Sequence, residues 1–160
     1  MTAPLLVELP SGWIVVLNIA FWAVAHAGTG YAAHRLGPTR LADDGWLLRV
    51  RAFERSLHRA LRVRRWKDHL PEAGATFPGG ISKRHLPERL EVFERETRRA
   101  ELAHWWAATC GPLAVIWNPW PGVALMVLYG VAVNAPFIVI QRFNRSRVQR
   151  LLAARERRRA

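Results

Sequence analysis

A chain of 160 residues that is 51% hydrophobic yet carries a formal net charge of +12 does not describe an ordinary soluble domain. Its mean hydropathy of −0.03 averages very apolar and very basic segments, and its length allows one domain at most. The single cysteine, Cys110, excludes an intramolecular disulfide and any CxxC metal site.

In chain order, residues 13–33 carry no formal charge and, at about 1.5 Å per residue, are long enough to cross a bilayer core of about 30 Å. The residues before them hold Glu8 and no Lys or Arg, so a transmembrane helix is expected rather than a cleaved signal peptide. Asn18 and His26, inside this run, are expected to face neighbouring helices. Residues 35–101 carry 16 Lys or Arg against 10 Asp or Glu, with no apolar run long enough to span. Within them Trp46, Val50, Phe53, Leu57, Leu61 and Trp66 recur at steps of three to five residues among arginines, which predicts an amphipathic helix lying on anionic lipid. Pro71, Gly74, Pro78, Gly79 and Gly80 mark a loop that Lys83, Arg84 and His85 close, and a further helix is expected from Leu86 or Pro87. That helix runs into a second apolar run, 102–117, which an NPWPG turn joins to a third, 123–140, interrupted by Asn134 and Pro136. The tail, 141–160, holds eight arginines and one acid, Glu156.

These patterns predict an all-α integral membrane protein, one membrane domain over 1–160. It has three transmembrane helices and an amphipathic interfacial helix on the cytoplasmic face. With three crossings, the basic segment 35–101 and the basic tail fall on one side, while the turn and amino terminus, without Lys or Arg, fall on the other. The positive-inside rule places the basic side in the cytoplasm, giving a multi-pass protein of the cell membrane. The same arrangement accounts for the basic charge through membrane lipids, and no nucleic-acid-binding motif is present.

The most concentrated reactive side chains lie in ETRRAELAHWW, 96–106, where the charged segment becomes apolar. In a helix Thr97, Glu101 and His104 share a face. His104, partly desolvated at the interface, is the candidate general base, with Glu101 one turn earlier to orient it and Glu96 as the other possible carboxylate partner. Glu101 and His104 also form ExxH, but a di-iron site needs a second copy and further carboxylates, and none is present; no metal or other cofactor is expected. Arg99, Arg142 and Arg147, near the cytoplasmic helix ends, are candidates to bind donor phosphates or an oxyanion. Asn134 and Gln141 share a face of the third helix, able to bond a sugar or another helix.

Four ordered stretches, VRRWKDHLP (63–71), FPGGISKRHL (77–86), ETRRAELAHW (96–105) and NAPFIVIQRFNRSR (134–147), resemble the glycosyl-4,4'-diaponeurosporenoate acyltransferases of staphyloxanthin-type carotenoid biosynthesis. The resemblance covers roughly residues 13–152. It implies transfer of a fatty acyl group to the glucose 6-hydroxyl of a glycosylated carotenoid acid. Lys67, Glu96, Thr97, Arg99, Glu101, His104, Asn134, Gln141, Arg142, Asn144 and Arg147 fall where the family motif has the same or an equivalent residue. The chain departs from the pattern at Phe143 and Ser146, where the family often has Tyr and Pro. On this reading the partners are an acyl donor, expected to be acyl-CoA, and a glycosylated carotenoid or other glycolipid acceptor. The competing class is a non-catalytic membrane protein that holds a glycolipid or scaffolds pathway enzymes.

Overall fold

The computed structural model describes residue 7, residues 9–70 and residues 89–159. Within these residues the chain is helical, without strands. The expected loop from Pro71 to Gly80, the Lys83–His85 closure and the helix start at Leu86 or Pro87 lie outside the described residues.

The first apolar run forms α1, Ser11–His34, which starts directly after Pro10. Only Trp22 and Ala33 are buried on it, while Ile19 and Val24 stay 68% and 71% exposed. The described residues thus leave most of its apolar surface uncovered. The third run and the basic tail form one continuous helix, α6, Trp120–Arg157, with Pro136 inside it. At 38 residues it is about 57 Å long, well beyond a bilayer core. Its first half is apolar and its second half arginine-rich. Among the described residues, α1 and α6 are the two helices long and apolar enough to cross a membrane.

The second run departs from the expected third membrane helix. Helix α5, Leu90–Ala108, ends part-way through that run, and after a turn the chain continues as a 3-10 segment, Gly111–Ile116. Pro112 has no N–H to give an α-helical ladder. Gly111, just before it, permits a close crossing: a Cβ there would sit 2.8 Å from the Val127 Cα. This composite strand of chain still runs the length of α1. Arg99 donates to the carbonyls of Ala33, His34 and Leu36 at one end, and Trp117 donates to Asn18 at the other.

Helices α5 and α6 are antiparallel, with Leu90 against Val148, His104 against Asn134 and Gly111 against Val127. The α6 seam reads Val123, Met126, Gly130, Asn134, Ile138, Arg145 and Val148, the three-and-four spacing of a packed face. Gly130 is required where Trp22 crosses, since a Cβ would meet the indole at 2.6 Å. Trp22 in turn donates to the Met126 sulfur at 3.3 Å and shares a cluster with Ala114. At the NPWPG end, Asn18 and Asn118 exchange two hydrogen bonds at 3.1 and 2.8 Å.

The expected single interfacial helix is instead three short ones: α2, Gly45–Leu48, α3, Glu54–Ala60, and α4, Val63–Trp66. Arg62, at φ 49°, breaks the last two apart. Leu48 and Val63 face inward, but much of the remaining burial is inverted relative to a soluble helix. Trp46, Phe53, Leu57 and Leu61 are exposed, whereas Glu54 and His58 are buried.

Candidate functional site

His104 sits on α5 opposite Asn134 of α6. The Asn134 amide nitrogen donates to the Gly130 carbonyl at 2.8 Å, which fixes its Oδ1 towards His104 Nδ1, 2.9 Å away. A carboxamide oxygen only accepts, so Nδ1 carries the proton and Nε2 keeps its lone pair. The Phe137 ring stacks on the imidazole at 4.7 Å and 10°. The Asn134 nitrogen also approaches His26 Nε2 of α1 at 3.5 Å, and His26 Nδ1 donates to the Trp22 carbonyl at 2.7 Å. Three helices thus meet in one polar chain, Trp22 carbonyl to His26 to Asn134 to His104.

Glu101 does not orient this imidazole. It is fully buried, and its Oε1 accepts from Trp105 Nε1 at 3.1 Å and Arg142 Nη1 at 2.6 Å, while its Oε2 accepts from Arg145. Glu96 pairs with Arg99 at 3.2 Å. The expected carboxylate–histidine pair is replaced by a carboxamide–histidine pair, because two arginines from α6 capture the carboxylate first. Arg142 spends every donor it has: Nε on Glu54, Nη1 on Leu47 and Glu101, Nη2 on Arg49 and Glu54. It has no N–H left for a phosphate or an oxyanion.

Around Glu101 the pairs extend. Arg98 bonds Asp44 and Glu94 at 2.7 Å each, Gln149 bonds the same two acids at 2.9 Å, and Arg145 bonds the Leu48 carbonyl. Arg145 Nη1 has no hydrogen-bond partner among the described residues. This network ties α2 and α3 to α5 and α6 at the arginine-rich end of the bundle.

Burial draws the Asp44 carboxyl up, but hydrogen bonds from Arg98 and Gln149 and the Arg145 charge outweigh it and hold it below its usual 3.8. Glu54 likewise feels burial upwards and Arg142 and the Arg51 N–H more strongly downwards, ending below 4.5. For His58 burial pushes the imidazole below its usual 6.5; Glu54 opposes this, while Arg142 and Arg150 reinforce it. All three make stability rise with pH, since the unfolded chain binds more protons through each interval. The His58 contribution is complete above about 6.5 and lost as pH falls towards its lowered folded value. The carboxylate contributions are complete above 3.8 and 4.5 and lost as pH falls through their lowered folded values. Thermal unfolding in detergent should therefore weaken in two stages on acidification. His58→Gln should remove the first stage and leave the second.

A cleft of about 540 Å³ opens where α6 leaves its apolar half behind. Leu90 and Phe93 of α5 and Val148, Leu151 and Ala154 of α6 form its floor, and Lys67, Arg147, Arg155 and Arg158 line it with Asn144. Lys67 also pairs with Asp68 at 2.6 Å.

The eleven sequence-selected residues therefore fall into separate places. His104 and Asn134 meet, with Gln141 half-buried one turn beyond Phe137 on α6. Glu101 and Arg142 belong to the ion network. Lys67, Asn144 and Arg147 line the cleft. Arg99 closes the carboxyl end of α1 with Glu96 beside it, and Thr97, buried, donates to the Glu94 carbonyl. Sequence reasoning did not select His26 or Phe137 for the site. His26 carried a usable signal, a titratable group mid-way along a charge-free run.

Residues 44–154 match the glycosyl-4,4'-diaponeurosporenoate acyltransferase family. The chain belongs to that family. The matched residues include His104, Asn134, Glu101 with both its arginines, and the cleft except for Arg155 and Arg158, but not α1. Relatives named glycosyl-4,4'-diaponeurosporenoate acyltransferase from Staphylococcus aureus strains MRSA252 and USA300 are 33% and 32% identical over 102 residues. Each match covers 60% of this chain and 60% of the relative's length. No solved structure matches.

Proposed function

We propose that this chain is a membrane acyltransferase that moves a fatty acyl group from a thioester donor to a sugar hydroxyl, the glucose 6-hydroxyl, of a glycosylated carotenoid. The observation that carries the reading is the His104–Asn134 pair, which leaves on Nε2 the lone pair that a general base needs. Family membership supports the reaction class, and the two apolar helices support a membrane location. The outward-facing Trp46, Phe53, Leu57 and Leu61 support a central segment resting on the cytoplasmic lipid surface.

In the reaction, Nε2 of His104 takes the hydroxyl proton as the acceptor oxygen attacks the acyl carbonyl carbon. The C–O ester bond forms, the C–S bond breaks, and the departing thiolate takes the proton back from the imidazolium. Asn134 holds the ring through Nδ1 and stays neutral. Arg99 and Arg142 build the site rather than touch the substrate, and Glu96 and Glu101 act through them.

Mass spectrometry of lipids from carotenoid-glycoside-producing cells with and without the protein tests this. The expected result is an acyl glycoside present only with the protein and unacylated glycoside accumulating without it. Identical lipid profiles would overturn it.

A further inference from the structure

We propose that the cationic cleft binds the 3'-phospho-ADP end of a coenzyme A thioester, and that the pantetheine arm runs along the seam between α5 and α6 to bring the thioester to His104. This rests on the acyltransferase reading and supplies its donor.

The cleft and the imidazole lie on the same facing sides of α5 and α6, with buried Thr97 between them. Along α5, Leu90, Phe93, Thr97 and His104 follow at steps of three, four and seven; along α6, Val148, Asn144, Gln141 and Phe137 return at four, three and four. Phe93 to His104 is eleven residues, about 16 Å along the helix. A donor with its anionic end in the cleft must therefore carry its reactive carbon on an extended, uncharged arm, as pantetheine does.

The lining selects the head group. Three arginines, Arg147, Arg155 and Arg158, line the cleft together with Lys67, which is paired with Asp68, and no carboxylate is among its described lining residues, so a polyanionic occupant suits it. The floor is apolar and includes the Phe93 ring, which suits a flat heterocycle between phosphates. A phospholipid would offer one phosphate and direct its tails into the apolar half of α6, away from this end. A hollow of about 540 Å³ is the scale of small-molecule sites.

The test is binding of coenzyme A itself, lacking an acyl chain, to the full chain in phosphatidylcholine nanodiscs. Arg147→Ala with Arg155→Ala should weaken it by about tenfold or more, and 3',5'-ADP should compete. Leu151→Trp, which fills the hollow and removes no charge, should weaken it as well. Arg150→Ala, a charge on the same helix but not in the lining, should leave it unchanged, and His104→Ala should bind normally. Unchanged affinity in both cleft variants, or competition by phosphatidylglycerol and not by 3',5'-ADP, overturns the proposal. Acyl transfer with an unchanged donor KM in the cleft variants would also remove this site while leaving the enzymatic reading standing. Cleft-dependent binding without any transfer to a glycosylated carotenoid would do the reverse.

Discussion

Glu101→Gln is expected to destabilise the folded protein by about 3–5 kcal/mol, because it leaves Arg142 and fully buried Arg145 without the anion between them. Glutamine has nearly the same shape, so packing does not explain the loss. Its amide would also turn a donor towards one of two groups that can only donate. A carboxylate whose task was to polarise His104 would instead lower turnover and leave stability intact. Thermal unfolding of the purified variant in detergent separates the two: a melting temperature equal to the parent's with slowed turnover would assign Glu101 to the imidazole. The expected result is a large drop in melting temperature. It should be reproduced by Arg145→Met, which strips the same buried pair from the other side.

His104→Ala is the second large effect and has the opposite signature. His104 is only half-buried and, among the described residues, its one side-chain hydrogen bond is to Asn134, so the fold should persist with a small stability loss. Loss of a general base should lower turnover by about 10² to 10⁴-fold. Asn134→Leu should follow in the same direction: without the carboxamide oxygen, Nδ1 no longer has to carry the proton, and the lone pair is no longer confined to Nε2. Asn134→Asp keeps an acceptor there and should retain more activity than the leucine variant. The pair thus distinguishes lost orientation from a mere gap.

Much of the architecture was legible in the sequence, for reasons that particular residues make plain. The charge-free runs that became α1 and the first half of α6 announce themselves by length alone. The second run has the same composition but a different backbone, since Gly111 and Pro112 turn an α-helix into a 3-10 segment without changing hydropathy. The Glu101–His104 pairing failed on register. Helical spacing places the two side chains one turn apart, but Arg142 and Arg145 arrive from 41 and 44 residues further on, and only the antiparallel packing of α5 and α6 brings them in. The interfacial segment was legible in its exposed apolar positions, while the inward turn of Glu54 and His58 depended on Arg142 and Phe143 of another helix. Asn134 was visible as a polar group mid-run that needed a partner. Which partner was a tertiary fact.

The central claim is that acyl transfer takes place at His104. Wild-type protein and His104→Ala, reconstituted in vesicles with a glycosylated carotenoid and a labelled acyl thioester, should show closely similar melting temperatures, the variant's slightly lower, and equal donor binding. The variant should form labelled acyl glycoside at least about 10²-fold more slowly. Transfer by the folded variant at the wild-type rate would contradict the account.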